Sequence, residues 1–115
     1  MPECSSVIIN CIDFRFQTHV QELIKSLSIS EDVDVINIVG GGAKINNYKV
    51  NGKSMLDISC SLHKPKNIIL TGHHDCGGGT TLEELKNTEK EIKKVYLECN
   101  ISSYWFKDSE FYLIK

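Results

Sequence analysis

Hydrophobic and polar positions alternate between two periods along the chain, and the alternation predicts a βαβ-type succession. Ser6 to Cys11 is a short apolar run with β-branched residues, the pattern of a strand covered on both faces in a parallel sheet. Val20, Leu23, Ile24 and Leu27 then recur at helical spacing, opposite Gln17, Gln21, Glu22 and Lys25, which predicts an amphipathic helix from about Phe16 to Leu27. Val33 to Val39 reads as a second strand, broken by Gly40-Gly41-Gly42. A second helix is expected from about Ser54 to His63, ended by Pro65, and a third strand over Asn67 to Thr71. Thr80 or Thr81 caps a long helix running to about Cys99, with Glu83 and Glu84 at its positive end. Phe111 to Ile114 is the candidate fourth strand.

Strands alternating with helices imply right-handed crossovers and a mostly parallel sheet between helices. The expectation is a three-layer α/β fold with about four strands in the order 2-1-3-4. In such sheets ligands bind beyond the carboxyl ends of the strands, where neighbouring connections part. Cys11 ends the first strand, and His73 and Cys76 follow the third, so the three meet if those strands are neighbours.

Length and charge narrow the classes of function. At 115 residues and 41% hydrophobic content the chain suits one core, so residues 1–115 are read as a single domain. A formal charge of -2, from 15 acidic and 13 basic side chains with no basic run, gives no reason to expect nucleic acid or an anionic membrane as partner. The opening Met-Pro-Glu-Cys-Ser-Ser has no basic segment followed by a long apolar one, and no run has the length of a membrane span. With five cysteines, an odd number, free thiols or metal ligands are expected over a disulfide framework, and a reducing, cytoplasmic setting with them.

Two thiolates and an imidazole form a borderline-soft donor set suited to Zn²⁺, with a fourth position left for water or a carboxylate. The order Cys-x-Asp-x-Arg at 11 to 15, then Gly-His-x-x-Cys-Gly at 72 to 77, resembles the paired signature of β-class carbonic anhydrases. The resemblance extends more loosely over residues 6 to about 80, with the Gly40 to Gly42 loop where that family has a glycine-containing turn.

The resemblance implies that Cys11, His73 and Cys76 ligate zinc and that Asp13 and Arg15 form a dyad beside it. It implies reversible hydration of carbon dioxide to bicarbonate through zinc-bound hydroxide, and a homodimer or higher oligomer. Asp13 either accepts a hydrogen bond from the zinc-bound water or occupies the fourth position itself, according to whether Arg15 holds its carboxylate. The N–H groups of Gly77 to Thr81, at a helix N-terminus, suit an anion such as bicarbonate. The chain departs from the family at Phe14, where serine is common, and at Asn37-Ile38-Val39, which lacks an arginine-asparagine pair. It is also shorter, without the N-terminal wrapping helices.

Other readings remain beside this one. Apolar walls at Phe14 and Phe16 would suit carbonyl sulfide or carbon disulfide, and a non-catalytic zinc domain would keep the same ligands. The His-x-x-Cys register selects His73 over His74, which is left as a supporting or exposed group; Asp75 orients an imidazole or caps the turn. Cys4, Cys60 and Cys99 are read as structural or incidental, His19 and His63 as surface residues without partners, and Tyr104-Trp105-Phe106 as core or subunit contact. A cysteine-phosphatase loop needs arginine six residues after its cysteine, where Cys76 has Leu82. A dinucleotide fingerprint needs glycines where the first strand is followed by Ile12-Asp13-Phe14.

Overall fold

A computed structural model describes residues 2–115. The strands are β1 (Ser6–Cys11), β2 (Val33–Ile38), β3 (Lys49–Val50), β4 (Lys53–Ser54), β5 (Asn67–His73), β6 (Asn100–Lys107) and β7 (Glu110–Leu113). The α-helices are α1 (Gln17–Ser26), α2 (Met55–Leu62) and α3 (Leu82–Val95), with short 3-10 helices at Phe14–Phe16 and Gly41–Asn47. Five strands form the main sheet in the order β2-β1-β5-β6-β7. All neighbours are parallel except β6 and β7. The three expected strands take their expected places, β5 running on to include His73.

The fourth place belongs to β6, which the hydrophobic pattern does not announce, and the predicted tail strand is the fifth, antiparallel to it. Asp108 and Ser109, both at positive φ, make the two-residue turn between them without a glycine. In β6, Ser102 and Ser103 interrupt the apolar run, although Ser103 is fully buried. The Tyr104-Trp105-Phe106 segment is therefore a sheet strand, and Trp105 lies in the core.

Helices cover both faces, giving the expected three layers. Val7 and Ile9 of β1 face one way with Ile68 and Leu70, under Leu56 of α2 and Leu85 and Ile92 of α3. Ile8 and Ile69 face the other way, against Val20, Leu23 and Ile24 of α1. Ser54 and Thr81 cap α2 and α3 by accepting the N–H of Asp57 and Glu84. The third helix is shorter than its periodicity predicts, ending at Val95, so Cys99 lies beyond it. Asn51-Gly52, both at positive φ, turn the small β3–β4 hairpin, which the hydrophobic pattern does not announce either.

The β1–β5 pairing runs only from Ser6 opposite Asn67 to Ile9 opposite Leu70. Past that point the strands part, and the Gly40-Gly41-Gly42 segment enters the gap. A Cβ on Gly41 would stand 2.8 Å from the Thr71 carbonyl and 3.2 Å from the Cys11 nitrogen. Gly40 and Gly41 also sit at φ +92° and +67°. Thr71 spans the parting by donating its hydroxyl to both the Ile9 carbonyl (3.1 Å) and the Asn10 side-chain oxygen (2.8 Å).

Candidate metal centre

At the parted carboxyl ends of β1 and β5, Cys11, His73 and Cys76 bring one ligand atom each to within 4.8 Å of the others. Cys11 and His73 are buried, and Cys76 is half-buried in the turn that follows β5. Their two sulfurs are 3.8 Å apart. A disulfide would require about 2.05 Å, whereas two thiolates each about 2.3 Å from a tetrahedral zinc ion lie about 3.8 Å apart. The separation is that of two ligands of one metal.

His73 supplies a second test of fit. Its Nδ1 donates to the His74 carbonyl at 2.6 Å, and since a carbonyl only accepts, Nδ1 carries the proton and Nε2 the lone pair. That Nε2 is buried and has no hydrogen-bond partner. An unpaired buried acceptor costs free energy, and a cation between the thiols would satisfy it. The residues present fit a zinc ion.

Aromatic side chains hold the two neighbouring histidines apart in role. Phe16 stacks on the His73 ring at 3.9 Å between centroids and is packed in turn by Phe106 of β6. Trp105 donates its indole N–H to His74 Nε2 at 3.2 Å, and His74 is not part of the three-residue cluster. Gln17 donates to the carbonyls of both Cys11 and Asp13, bracing the bend after β1. None of Phe16, Gln17, Trp105 and Phe106 was legible as a support of the site, because each acts through the fold rather than through spacing.

The turn after His73 is directed at sulfur. Asp75 takes φ +53° there, and its carbonyl accepts from Arg15 at 3.2 Å. Burial pushes the Cys76 thiol up, but the N–H groups of Gly78 and Thr80 pointing at it outweigh this, so its pKa lies below the ordinary thiol value. Within the Gly77 to Thr81 segment, these two N–H groups are therefore directed at the cysteine sulfur. The two glycine loops meet behind it: Thr80 donates to the Gly40 carbonyl at 2.7 Å, and a Cβ on Gly78 would stand 3.0 Å from Gly40.

Asp13 and Arg15 lie at the mouth of the centre as a closed pair. The guanidinium reaches the carboxylate through Nη2 to Oδ2 (2.6 Å) and through Nε to both oxygens (3.1 Å). These hydrogen bonds hold the Asp13 carboxyl down at about 2. A cleft of about 450 Å³ opens beside the pair, walled by Ile12, Phe14, Val39 and Gly78 as well as Cys11. Phe14 is 86% exposed there. Phe16 faces the other way, into the His73 ring, so only one of the two phenylalanines walls the cleft.

A sequence profile described as "Putative carbonic anhydrase" matches residues 1–114. The chain belongs to this carbonic anhydrase family. Among solved structures its fold is similar to the carbonic anhydrase from Glaciozyma antarctica, with a TM-score of 0.71 at 17% identity, covering 100% of this chain and 85% of that one. It is also similar to the carbonic anhydrase from Streptococcus mutans, with a TM-score of 0.65 at 15% identity over 99% of this chain and 83% of that one. An uncharacterized protein of Rickettsia bellii is 33% identical over 99 residues, 79% of this chain, and one of Rickettsia conorii is 31% identical over 97 residues, 77% of this chain. The match spans 60% and 52% of the length of these two curated relatives. Among the described residues, no helix of the carbonic anhydrase-like chain is long and apolar enough to cross a membrane.

Proposed function

We propose that the protein is a zinc-dependent lyase that reversibly hydrates carbon dioxide to bicarbonate, with Cys11, His73 and Cys76 holding the metal. The observation that carries this reading is the buried, unpartnered His73 Nε2 beside two thiols at ligand separation. Bound there, zinc would supply a Lewis acid that makes water nucleophilic near neutral pH.

The chain's own residues would do the rest. Arg15 keeps the Asp13 carboxylate ionised and paired, leaving it as a fixed acceptor for a water proton at the cleft. Ile12, Phe14 and Val39 give the cleft apolar walls, which suit a small nonpolar gas. The exposure of Ile12 and Phe14 also supports a homodimer with this face covered, and the free cysteines a reducing, cytoplasmic setting.

Stopped-flow hydration of carbon dioxide by zinc-loaded protein tests the proposal. Turnover well above that of the Cys11→Ser variant is expected, and equal rates would sink it. The apolar wall at Phe14 favours one second reading, hydrolysis of carbonyl sulfide or carbon disulfide at the same centre. Release of sulfide faster than hydration of carbon dioxide would support that reading; full zinc occupancy with neither reaction would leave a non-catalytic zinc domain.

A further inference from the structure

The candidate centre lies at the carboxyl ends of the strands, and a second cluster of ligand-type side chains lies at the opposite ends. Cys4 precedes β1, Asp34 is the second residue of β2, and His63 follows α2 on the way into β5. Since β1, β2 and β5 are parallel, all three stand at the amino pole of the sheet. One ligand atom from each lies within 4.8 Å of the other two.

We propose that Cys4, Asp34 and His63 form a second binding site for a borderline divalent cation such as Zn²⁺, tying the N-terminal segment to β2 and to the end of α2. The donor set joins a thiol, a carboxylate and an imidazole, all ligands of such ions. His63 Nδ1 lies 2.8 and 3.0 Å from the two Asp34 oxygens. Nitrogen and oxygen donors each about 2.1 Å from a tetrahedral cation lie about 3.4 Å apart, so this hydrogen-bonded pair needs to open by only about half an ångström to admit one. His63 therefore has a partner, contrary to the expectation from sequence.

The surroundings are arranged around these groups. Ser59 donates to Asp34 Oδ2 at 2.6 Å and orients the carboxylate, as hydrogen bonds behind a ligand do. The Cys4 N–H donates to the His63 carbonyl at 2.9 Å, which fixes the two segments side by side. A cleft of about 210 Å³ opens on the cluster and is lined further by Glu3, Glu31 and Asp32. Its carboxylates draw cations. A cysteine nucleophile is the poorer reading, because the Cys4 thiol donates to the Ser6 carbonyl rather than to the imidazole that would have to take its proton. On binding, the cation replaces the thiol proton, which passes to water, while the imidazole proton moves by way of solvent from Nδ1 to Nε2 and leaves the ring neutral with Nδ1 free to ligate.

The site stands apart from the proposed enzyme centre and is tested without it. Full-length protein carrying Cys11→Ser and Cys76→Ser lacks both thiols of the first centre. Titrated with Co²⁺, it is expected to bind one equivalent with a thiolate-to-cobalt absorption band and to melt at a higher temperature than its metal-free form. Adding Cys4→Ser should abolish the band and the shift in melting. His63→Gln, which leaves every thiol in place, should abolish the melting shift while the metal-free melting temperature is kept. Absence of binding in the double variant, or a band that survives Cys4→Ser, overturns the proposal. In the unaltered protein two equivalents are expected. A single equivalent removed by Cys11→Ser alone would refute this second site and leave the first, and one removed by Cys4→Ser alone would do the reverse.

Discussion

Arg15 Nη2 meets Asp13 Oδ2 at 2.6 Å while Nε is shared between both carboxylate oxygens. The carboxylate is thus held in one orientation two residues from Cys11, with acceptor capacity left over. Replacing Arg15 with alanine frees it either to move onto the metal or to lose its orientation, and hydration turnover should fall about 10- to 100-fold, the range for residues that orient a group at a metal.

The same pair has a pH signature in metal-free protein. Its depressed value means that the folded state holds the Asp13 proton less readily than the unfolded chain. Any stability it contributes is present above the ordinary carboxyl value of 3.8 and disappears as pH falls from there to about 2. In Arg15→Ala the carboxyl resonance of Asp13 should titrate near the ordinary value, as carbon NMR would show; a midpoint still near 2 would contradict the pairing.

Phe16 is the platform for the His73 ring and is itself buried. Phe16→Ala should cost about 3–5 kcal/mol of folding stability. It should also weaken metal retention, because the ring would no longer be held in place. Denaturant melts of the metal-free protein and competition with a chelator read the two effects separately.

Gly41→Ala places a methyl group 2.8 Å from the Thr71 carbonyl at a φ of +67°. Neither strand end can shift without moving Cys11 or His73. Destabilisation of about 1–3 kcal/mol is expected, with slower metal uptake. Gly52→Ala is the control: its Cβ meets nothing within 4 Å, so the cost there should be only that of its own positive φ.

Burial pushes the Cys60 thiol up to about 12. At pH 8 it should resist alkylation in the folded protein and react only on unfolding, since the thiolate is the reactive form. Peptide mass mapping after a short iodoacetamide pulse checks this; rapid labelling of Cys60 would refute it.

Features that depend on local pattern are the ones legible in the sequence. The β1 and β5 runs are mostly apolar and lead into the candidate centre, so pattern places Cys11 at one strand end and His73 and Cys76 after another, and the adjacency of β1 and β5 brings the three together. In the sequence Phe16 reads with Phe14 as an apolar wall of the site, and only the neighbourhood of β1, β5 and β6 turns it against the His73 ring. Strand β6 is hidden by Ser102 and Ser103, and its turn by the lack of glycine. Asp34 and His63 are 29 residues apart in sequence, and no spacing rule joins them. Gly40 to Gly42 are equally plausible as a plain turn; the close approach to Thr71 and Cys11 shows why side chains are excluded at that loop.

The parting of β1 from β5 also bears on how the centre moves. Past Ile9 and Leu70 the two strands are joined by the Thr71 hydroxyl rather than by their own ladder. Local opening there needs fewer backbone bonds to break than opening of the paired section. The Cys11 and His73 ends are thus tied to each other by fewer backbone bonds than their bases, each keeping its ladder to its outer neighbour, and an ion bound as proposed would act as the missing rung.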